Sequence, residues 1–336
     1  MNTMTTSQTP KKITIQACKP FSLATMFLRW EWLLVILILL VGIINTNISP
    51  YFLNVANLFD MTFNFMEKGL MALPMTMIII TSGIDLSVAS TLAMCSATMA
   101  LLFKHGVPIW IGALAALAVG IVGGWVNGKC ITKIKLPPLA VTLGTYALYR
   151  GMAFAMLGDI PVKGYPAWFT TIGQGYIGST PIPISLIIFL IFAIVFGLLL
   201  HRTSLGRAVF AIGNNEEACR YSGIAVDRIK IKLYMLSGCM AALAALVMAA
   251  RFGSTRTDVA TGYEMHAITA VVLGGTDIGG GKGTMLGTGL ALFLLGIIEW
   301  GMSLKMIPGQ VQQIVSGAVL IIAILLPNLL GKFMKR

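Results

Sequence analysis

Ten apolar runs stand out along the chain, at 32–47, 62–81, 86–104, 108–128, 137–157, 183–200, 232–250, 264–276, 284–303 and 309–330. A helix crossing the hydrocarbon core of a bilayer takes about 20 apolar residues, and most of these runs reach or approach that length. The eighth is too short to cross comfortably and is flanked by glycines. The pattern predicts an all-α, polytopic helical membrane protein of about ten transmembrane helices, the eighth short or re-entrant. Composition agrees. Of 336 residues, 57% are hydrophobic and 11% charged, and the mean hydropathy is +0.87. Soluble domains carry roughly 25% charged residues, so a soluble enzyme of one or two domains is excluded. The 36 glycines suit close helix packing.

Charge orients the spans. With the amino terminus inside and strict alternation, seventeen Lys and Arg residues fall on the inner side and five on the outer, as the positive-inside rule requires. Both basic termini then lie inside, so the number of crossings is even and the short eighth run is kept. The net charge of +12 is a property of this topology and of an anionic inner leaflet; no nucleic acid is needed to explain it. The division that follows is a cytoplasmic amino-terminal segment 1–31, a single transmembrane domain 32–330, and a cytoplasmic tail 331–336. Two connections are long. The outer one, 158–182, is rich in Pro, Gly and aromatics. It reads either as a partner-docking loop or as an interfacial loop with Tyr165, Trp168 and Tyr176 at headgroup depth. The inner one is 201–231.

Within that inner loop, Asn214 is a good N-cap with Glu217 three positions on, the capping-box spacing. Glu216 and Glu217 stand in the first turn and Arg220 near the end, where the helix dipole favours each sign. Gly223 suits the C′ position. The sequence therefore specifies both ends of a short helix between two membrane helices. It reads as a docking helix for a cytoplasmic partner, or as a helix lying on the membrane surface.

Other features carry less. The run GGTDIGGGKGT (274–284) fails as a phosphate loop, because Thr276 and Gly283 replace the Gly and Ser/Thr that the pattern requires. Its glycines shape either a re-entrant backbone or a packing turn. Gly120, Gly124 and Gly128 form a small-residue stripe for helix contact. The five cysteines have no paired spacing and the three histidines are scattered, so no metal site is expected. Asp85, between two apolar runs, is either an N-cap for the third span assisted by Ser87 or a gating residue. Glu67, Lys68, Glu264 and Glu299 lie nearer run ends, where snorkelling or pairing suffices. A weakly polar path across the membrane could use Asn64, Thr76, Thr142, Thr145, Thr269 and Gln313, although lone hydroxyls in spans usually bond their own backbone. LAVTLGT (139–145) and ITAVVLGGT (268–276) are faintly alike, which hints at an internal repeat with the site between halves.

Four ordered stretches carry a family resemblance: ALPMTMIIITSGIDLSVAS (72–90), LPPLAVTLGTYALYRG (136–151), GRAVFAIGNNEEACRYSGIAVDRIKIKLYMLSG (206–238) and FGSTRTDVATGYEMHAITAVVLGGTDIGGGKGTMLGT (252–288). Together they resemble the permease subunits of ABC-type sugar importers, the ribose, xylose, arabinose, galactose, rhamnose and autoinducer-2 permeases. The likeness leans toward the autoinducer-2 and rhamnose members. It implies a multi-pass protein of the bacterial inner membrane with no catalytic residues and no cofactor of its own. ATP would be hydrolysed by cytoplasmic ATPase subunits. A second permease, identical or homologous, would complete the path, and an extracytoplasmic binding protein would deliver the sugar. Glu216, Glu217, Ala218, Arg220, Ser222 and Gly223 would make the helix that seats in the ATPase. The rival class is an ion-coupled secondary sugar transporter, for which the sequence shows no relay of charges within spans.

Overall fold

The structure is a computed structural model that describes residues 30–333. The amino-terminal residues with Lys11, Lys12, Lys19 and Cys18, and the terminal Lys335 and Arg336, lie outside the described residues.

Helices account for nearly all of the fold. They are α1 (Trp30–Ile48), α2 (Val55–Asp60), α3 (Met66–Ile80), α4 (Val88–Lys104), α5 (Ile109–Thr132), α6 (Pro138–Leu157), α7 (Ala167–Gln174), α8 (Ile184–Arg202), α9 (Ser204–Asn214), α10 (Glu216–Tyr221), α11 (Val226–Phe252), α12 (Tyr263–Leu273), α13 (Met285–Leu304) and α14 (Gly309–Phe333). A 3₁₀ turn, Met61–Asn64, links α2 to α3. The chain is thus a polytopic helical membrane protein. Five helices (α1, α5, α8, α11 and α13) are long and apolar enough to cross a membrane, and α2 with α3 would make a sixth, bent by 56°. Helices α4 and α12 and the stretch Gly309–Ala323 of α14 are apolar but shorter. Helix α6 has the length but is less apolar along its sequence and carries Arg150, although its exposed large side chains are apolar.

Burial sorts these helices into layers. Every residue of α3 is buried, including Glu67 and Lys68. A helix that is apolar all round belongs in the middle of a bundle. Most of α4 and α11 is buried with it. Helix α1 buries only Leu34 and Asn45 among its 19 residues, as a helix facing lipid would.

The tightest joint is between α5 and α11. A Cβ on Gly120 would lie 2.3 Å from the Gly238 carbonyl oxygen, and one on Gly124 would lie 2.0 Å from that of Tyr234. Gly128 meets the Ile231 backbone in the same way. These three glycines are the stripe legible in the sequence, and they let two backbones touch. The second run of the sequence is longer than marked and is broken. It starts at Val55 and turns at Phe65, whose ring is buried against Gly296 and lies edge-on to Phe293.

One of the three aromatics expected at the surface of the 158–182 connection, Tyr165, is instead held inside the fold. Val162–Lys163 pairs antiparallel with Ser254–Thr255. Tyr165 is buried and donates its hydroxyl to Thr255 Oγ1 at 2.7 Å. Trp168 and Tyr176 remain exposed. Helix α7 seats so closely on the end of α11 that a Cβ on Gly173 would fall 2.2 Å from the Arg251 nitrogen.

The glycine joint makes a direct prediction. Gly124→Val, placed against the Tyr234 carbonyl, is expected to destabilise the protein by about 2 kcal/mol or more through overpacking. Gly144→Ala, which meets nothing within 4 Å, should be close to neutral. Thermal unfolding of both variants in mild detergent checks the contrast.

Candidate functional site

Three polar regions interrupt the apolar bundle. The first is the α9–α10 corner. Helix α9 runs one residue further than the capping-box spacing implied, so Asn214 is its last residue and not the cap of α10. Asn214 Nδ2 donates to the Phe210 carbonyl at 2.9 Å. Asn215, in extended backbone, is the true cap, and its side-chain oxygen accepts from the Ala218 N–H at 2.9 Å. With Asn215 as cap, Glu217 falls at the second helical position, where the capping box cannot form.

The other end of α10 is as expected. Gly223 has φ +79°. Its N–H donates to the Arg220 carbonyl, and that of Ile224 to Cys219, the paired bonds of a Schellman motif. Cys219 packs with Ile212 and Val226 beneath.

Ion pairs lock α10 sideways. Arg220 reaches Glu216 at 2.9 Å and Asp227 at 2.7 Å, Lys230 also binds Glu216, and Lys133 reaches Asp227 at 3.3 Å. Partial burial pushes the Glu216 carboxyl up, but the hydrogen bonds from Lys230 and Arg220 outweigh it and hold the group below the usual carboxylate range. Those same bonds, with Glu216 and Asp227 as acceptors, hold the Arg220 guanidinium above its ordinary value.

The glycine-rich turn packs straight onto this corner. Gly275, Gly280 and Gly281 have positive φ. The Gly281 N–H donates to the Ile80 carbonyl at 2.9 Å. A Cβ on Gly213 would lie 1.8 Å from that carbonyl oxygen and 2.4 Å from the Gly281 nitrogen. The end of α3, the end of α9 and the glycine turn therefore meet backbone to backbone. The run 274–284 is a packing turn.

The second region is centred on Asp85, which is 2% exposed. Its Oδ1 accepts from the Ser87 N–H at 3.0 Å and from the Ser87 hydroxyl at 2.6 Å, and its Oδ2 accepts from the Ser237 hydroxyl at 2.7 Å. Asn127 Nδ2 donates to Ser87 Oγ at 2.8 Å. Asp85 thus satisfies an orphan N–H at the start of α4, and it does so inside the bundle, binding α4 to α11 and, through Ser87, to α5. Its partners are neutral.

The pairings of the third region were not legible in the sequence. Glu67 pairs with Arg251 at 2.8 Å, Lys68 with Glu299 at 2.7 Å, and His266 Nδ1 lies 3.0 Å from the other Glu299 oxygen. Lys68 also sits 5.1 Å from the centre of the Tyr263 ring. Arg251 donates to the Phe63 carbonyl at 2.6 Å. One end each of α3, α11, α12 and α13 is joined here. Each charge stands at the edge of an apolar run, and only the fold brings runs so distant in sequence together.

The proposed path residues do not converge. Thr142, Thr145 and Thr269 donate to carbonyls one turn back in their own helices, as does Thr76, which also meets Thr288. Thr142 additionally reaches the Ile84 carbonyl beside Asp85 at 3.2 Å. Asn64 is exposed and its side-chain oxygen accepts from Arg251 at 3.4 Å. Gln313 is exposed on α14. Of the two similar stretches, LAVTLGT lies within the 20-residue α6, whereas ITAVVLGGT starts on the 11-residue α12 and runs past its end at Leu273. Among the described residues no group of His, Cys, Asp and Glu could hold a metal.

Comparison with known proteins completes the description. The family described as "Branched-chain amino acid transport system / permease component" matches residues 57–324. The chain is 37% identical over 308 residues to the "Autoinducer 2 import system permease protein LsrD" of Salmonella typhimurium strain LT2, covering 88% of this chain and 91% of the relative. It is 39% identical over 311 residues to the protein of the same name in Escherichia coli strain K12, covering 89% and 92%. No solved structure matches the chain with significance.

The buried ion pairs set a prediction. Removing one partner of a buried pair costs about 3–5 kcal/mol, because the other charge is left uncompensated. Lys68→Met and Glu299→Gln should each destabilise strongly, and the double variant by much less than their sum. A double-mutant cycle on thermal unfolding in detergent measures the difference.

Proposed function

The chain belongs to the family of ABC-importer permeases, and from that premise we propose that its cargo is autoinducer-2, imported across the bacterial inner membrane by alternating access. The observation that carries the cargo is the identity of 37–39% along about nine-tenths of the chain to permeases bearing that name. The chain is a transport subunit. In this reading, ATP is bound and hydrolysed by separate cytoplasmic ATPase subunits. A second permease, identical or homologous, shares the pathway, and an extracytoplasmic binding protein delivers the cargo.

The α9–α10 corner is the proposed ATPase-coupling site. Its support is the definition of both helix ends and the ionic brace to α11, neither of which a solvated linker needs. Closure of the ATPases on ATP would bias a two-state arrangement of the membrane helices through α10. Both termini and α10 are assigned to the cytoplasm, and 158–182 to the outside, on the distribution of Lys and Arg. All ten apolar runs cross or enter the membrane in this assignment.

An ion-coupled secondary transporter has two observations on its side: Asp85, buried with hydrogen bonds from Ser87 and Ser237 and no cation, and the buried charges around Glu299. The latter charges are paired with one another. Every acid in the Lys68–Glu299 and Glu67–Arg251 pairs already has a cation, which does not suit a group that must take up and release an ion.

Two outcomes test the reading. Gly223→Pro cannot keep φ +79° or donate the N–H that Gly223 gives to Arg220. It should abolish autoinducer-2 uptake while leaving the amount of protein in the membrane unchanged; normal uptake would remove α10 from the mechanism. A cysteine placed at Thr170 should label from outside the cell and one at Ser222 only after permeabilisation. The reverse pattern would invert the topology.

A further inference from the structure

The residues of α10 divide into those that hold the helix and those that face outward. Glu216 and Arg220 are committed to Lys230 and Asp227. Cys219 is packed beneath the helix, and the Ser222 hydroxyl donates to the Ala218 carbonyl at 2.8 Å. These contacts fix the rotation of α10 about its own axis. The side turned away from the protein carries Ala218, Tyr221 and Ser222, spaced three and four residues apart so that they share one face. Tyr221 is 85% exposed, and the residues around it are small. Glu217 lies at the edge of this face, exposed, with no cation paired to it among the described residues.

We infer that Tyr221 is the principal side chain by which this chain grips its ATPase subunit, its ring entering an apolar cleft while Glu217 meets a cationic group at the rim. The inference rests on the reading of α10 as the ATPase-coupling site and moves the contact from Glu216 and Arg220, which are used internally, to Tyr221. Three features carry it. A tyrosine offers a large, rigid, amphipathic surface at low entropic cost, which is why it anchors interfaces. Its neighbours Ala218, Ser222 and Gly223 leave the ring unobstructed. Glu217 supplies an unneutralised charge on a helix whose other charges are satisfied, and a complementary cation on the partner would orient the approach. A helix lying in the headgroups would turn large apolar side chains outward around the tyrosine. Here alanine and serine stand there instead.

The test uses the tagged full chain expressed with its ATPase subunit and isolated in mild detergent, with ATPase retained per permease as the readout. Tyr221→Ala should retain at least about ten-fold less ATPase than the parent, the loss typical of an interface anchor. Tyr221→Phe should retain nearly all of it, because the ring and not the hydroxyl fills the cleft. The exposed position makes neither change a threat to folding. Full retention by Tyr221→Ala overturns the inference and leaves the coupling assignment standing. No ATPase on the parent chain overturns both. A fluorophore on Tyr221→Cys in the permease reconstituted without its ATPase should be insensitive to brominated lipid. Quenching there would place the side chain in the membrane and overturn the inference.

Discussion

The contact on which most of the structure depends is the meeting of two backbones, α5 and α11, at Gly120, Gly124 and Gly238. Side chains cannot intervene there, so the position of α11 is set by the main chain itself. Helix α11 has 27 residues, about 40 Å at the usual rise per residue. Its middle delivers Ser237 to Asp85. At its start, Asp227 and Lys230 brace α10; at its end, Arg251 pairs with Glu67. One rigid element therefore connects the polar regions at both ends of the bundle to the carboxylate in its centre. Any shift of α11 must carry all three sets of bonds with it or break some of them.

A second connection runs through α12. This helix has 11 residues and lies between Gly262 and Gly275, both with positive φ. Its first turns bring Tyr263 and His266 to Lys68 and Glu299. Its far end leads into the glycine turn that touches Gly213 and Ile80. The α9–α10 corner cannot move far without displacing that turn or the end of α3. Such contiguity is a mechanical condition for coupling between two faces of a membrane and is not a measure of its strength. It does explain why the glycines are where they are. They bound a short helix with positive φ at Gly262 and Gly275, and at the second junction Gly274 and Gly213 also permit close backbone approach.

How legible this was depended on the range of the interaction. Each apolar run lies on a helix, because hydrophobicity along a segment is a local property. The Gly120 stripe and the Gly223 cap were readable for the same reason. The N-cap of α10 was misplaced by one residue because two asparagines stand side by side and both can cap. The choice between them is made by how far α9 extends, which is decided by packing at Gly213. Tyr165 looked interfacial by type but is buried, since pairing of Val162–Lys163 with Ser254–Thr255 draws its loop inward. Pairing was one of the two readings open for Glu67, Lys68 and Glu299 of the ion cluster, but which charge meets which was out of reach. Lys68 and Glu299 are 231 positions apart, and each taken singly resembles a charge snorkelling from a helix end.

The fate of the hydroxyls bears on how cargo could pass. A polyhydroxylated molecule leaving water needs groups that replace its hydration. Thr76, Thr142, Thr145 and Thr269 give their protons to carbonyls of their own helices. Asp85 is saturated by Ser87 and Ser237, and the Glu67 and Glu299 charges are neutralised within the bundle. The interior polar groups therefore serve cohesion. Asn64 and Gln313, the two amides among the path candidates, are exposed on the outside of the bundle. A path built from such groups would have to run along the surface of this chain and not through its middle, and an exposed polar surface at membrane depth needs a cover. In the proposed assembly that cover is the second permease subunit, so that the pathway belongs to the pair while each chain supplies one rigid wall.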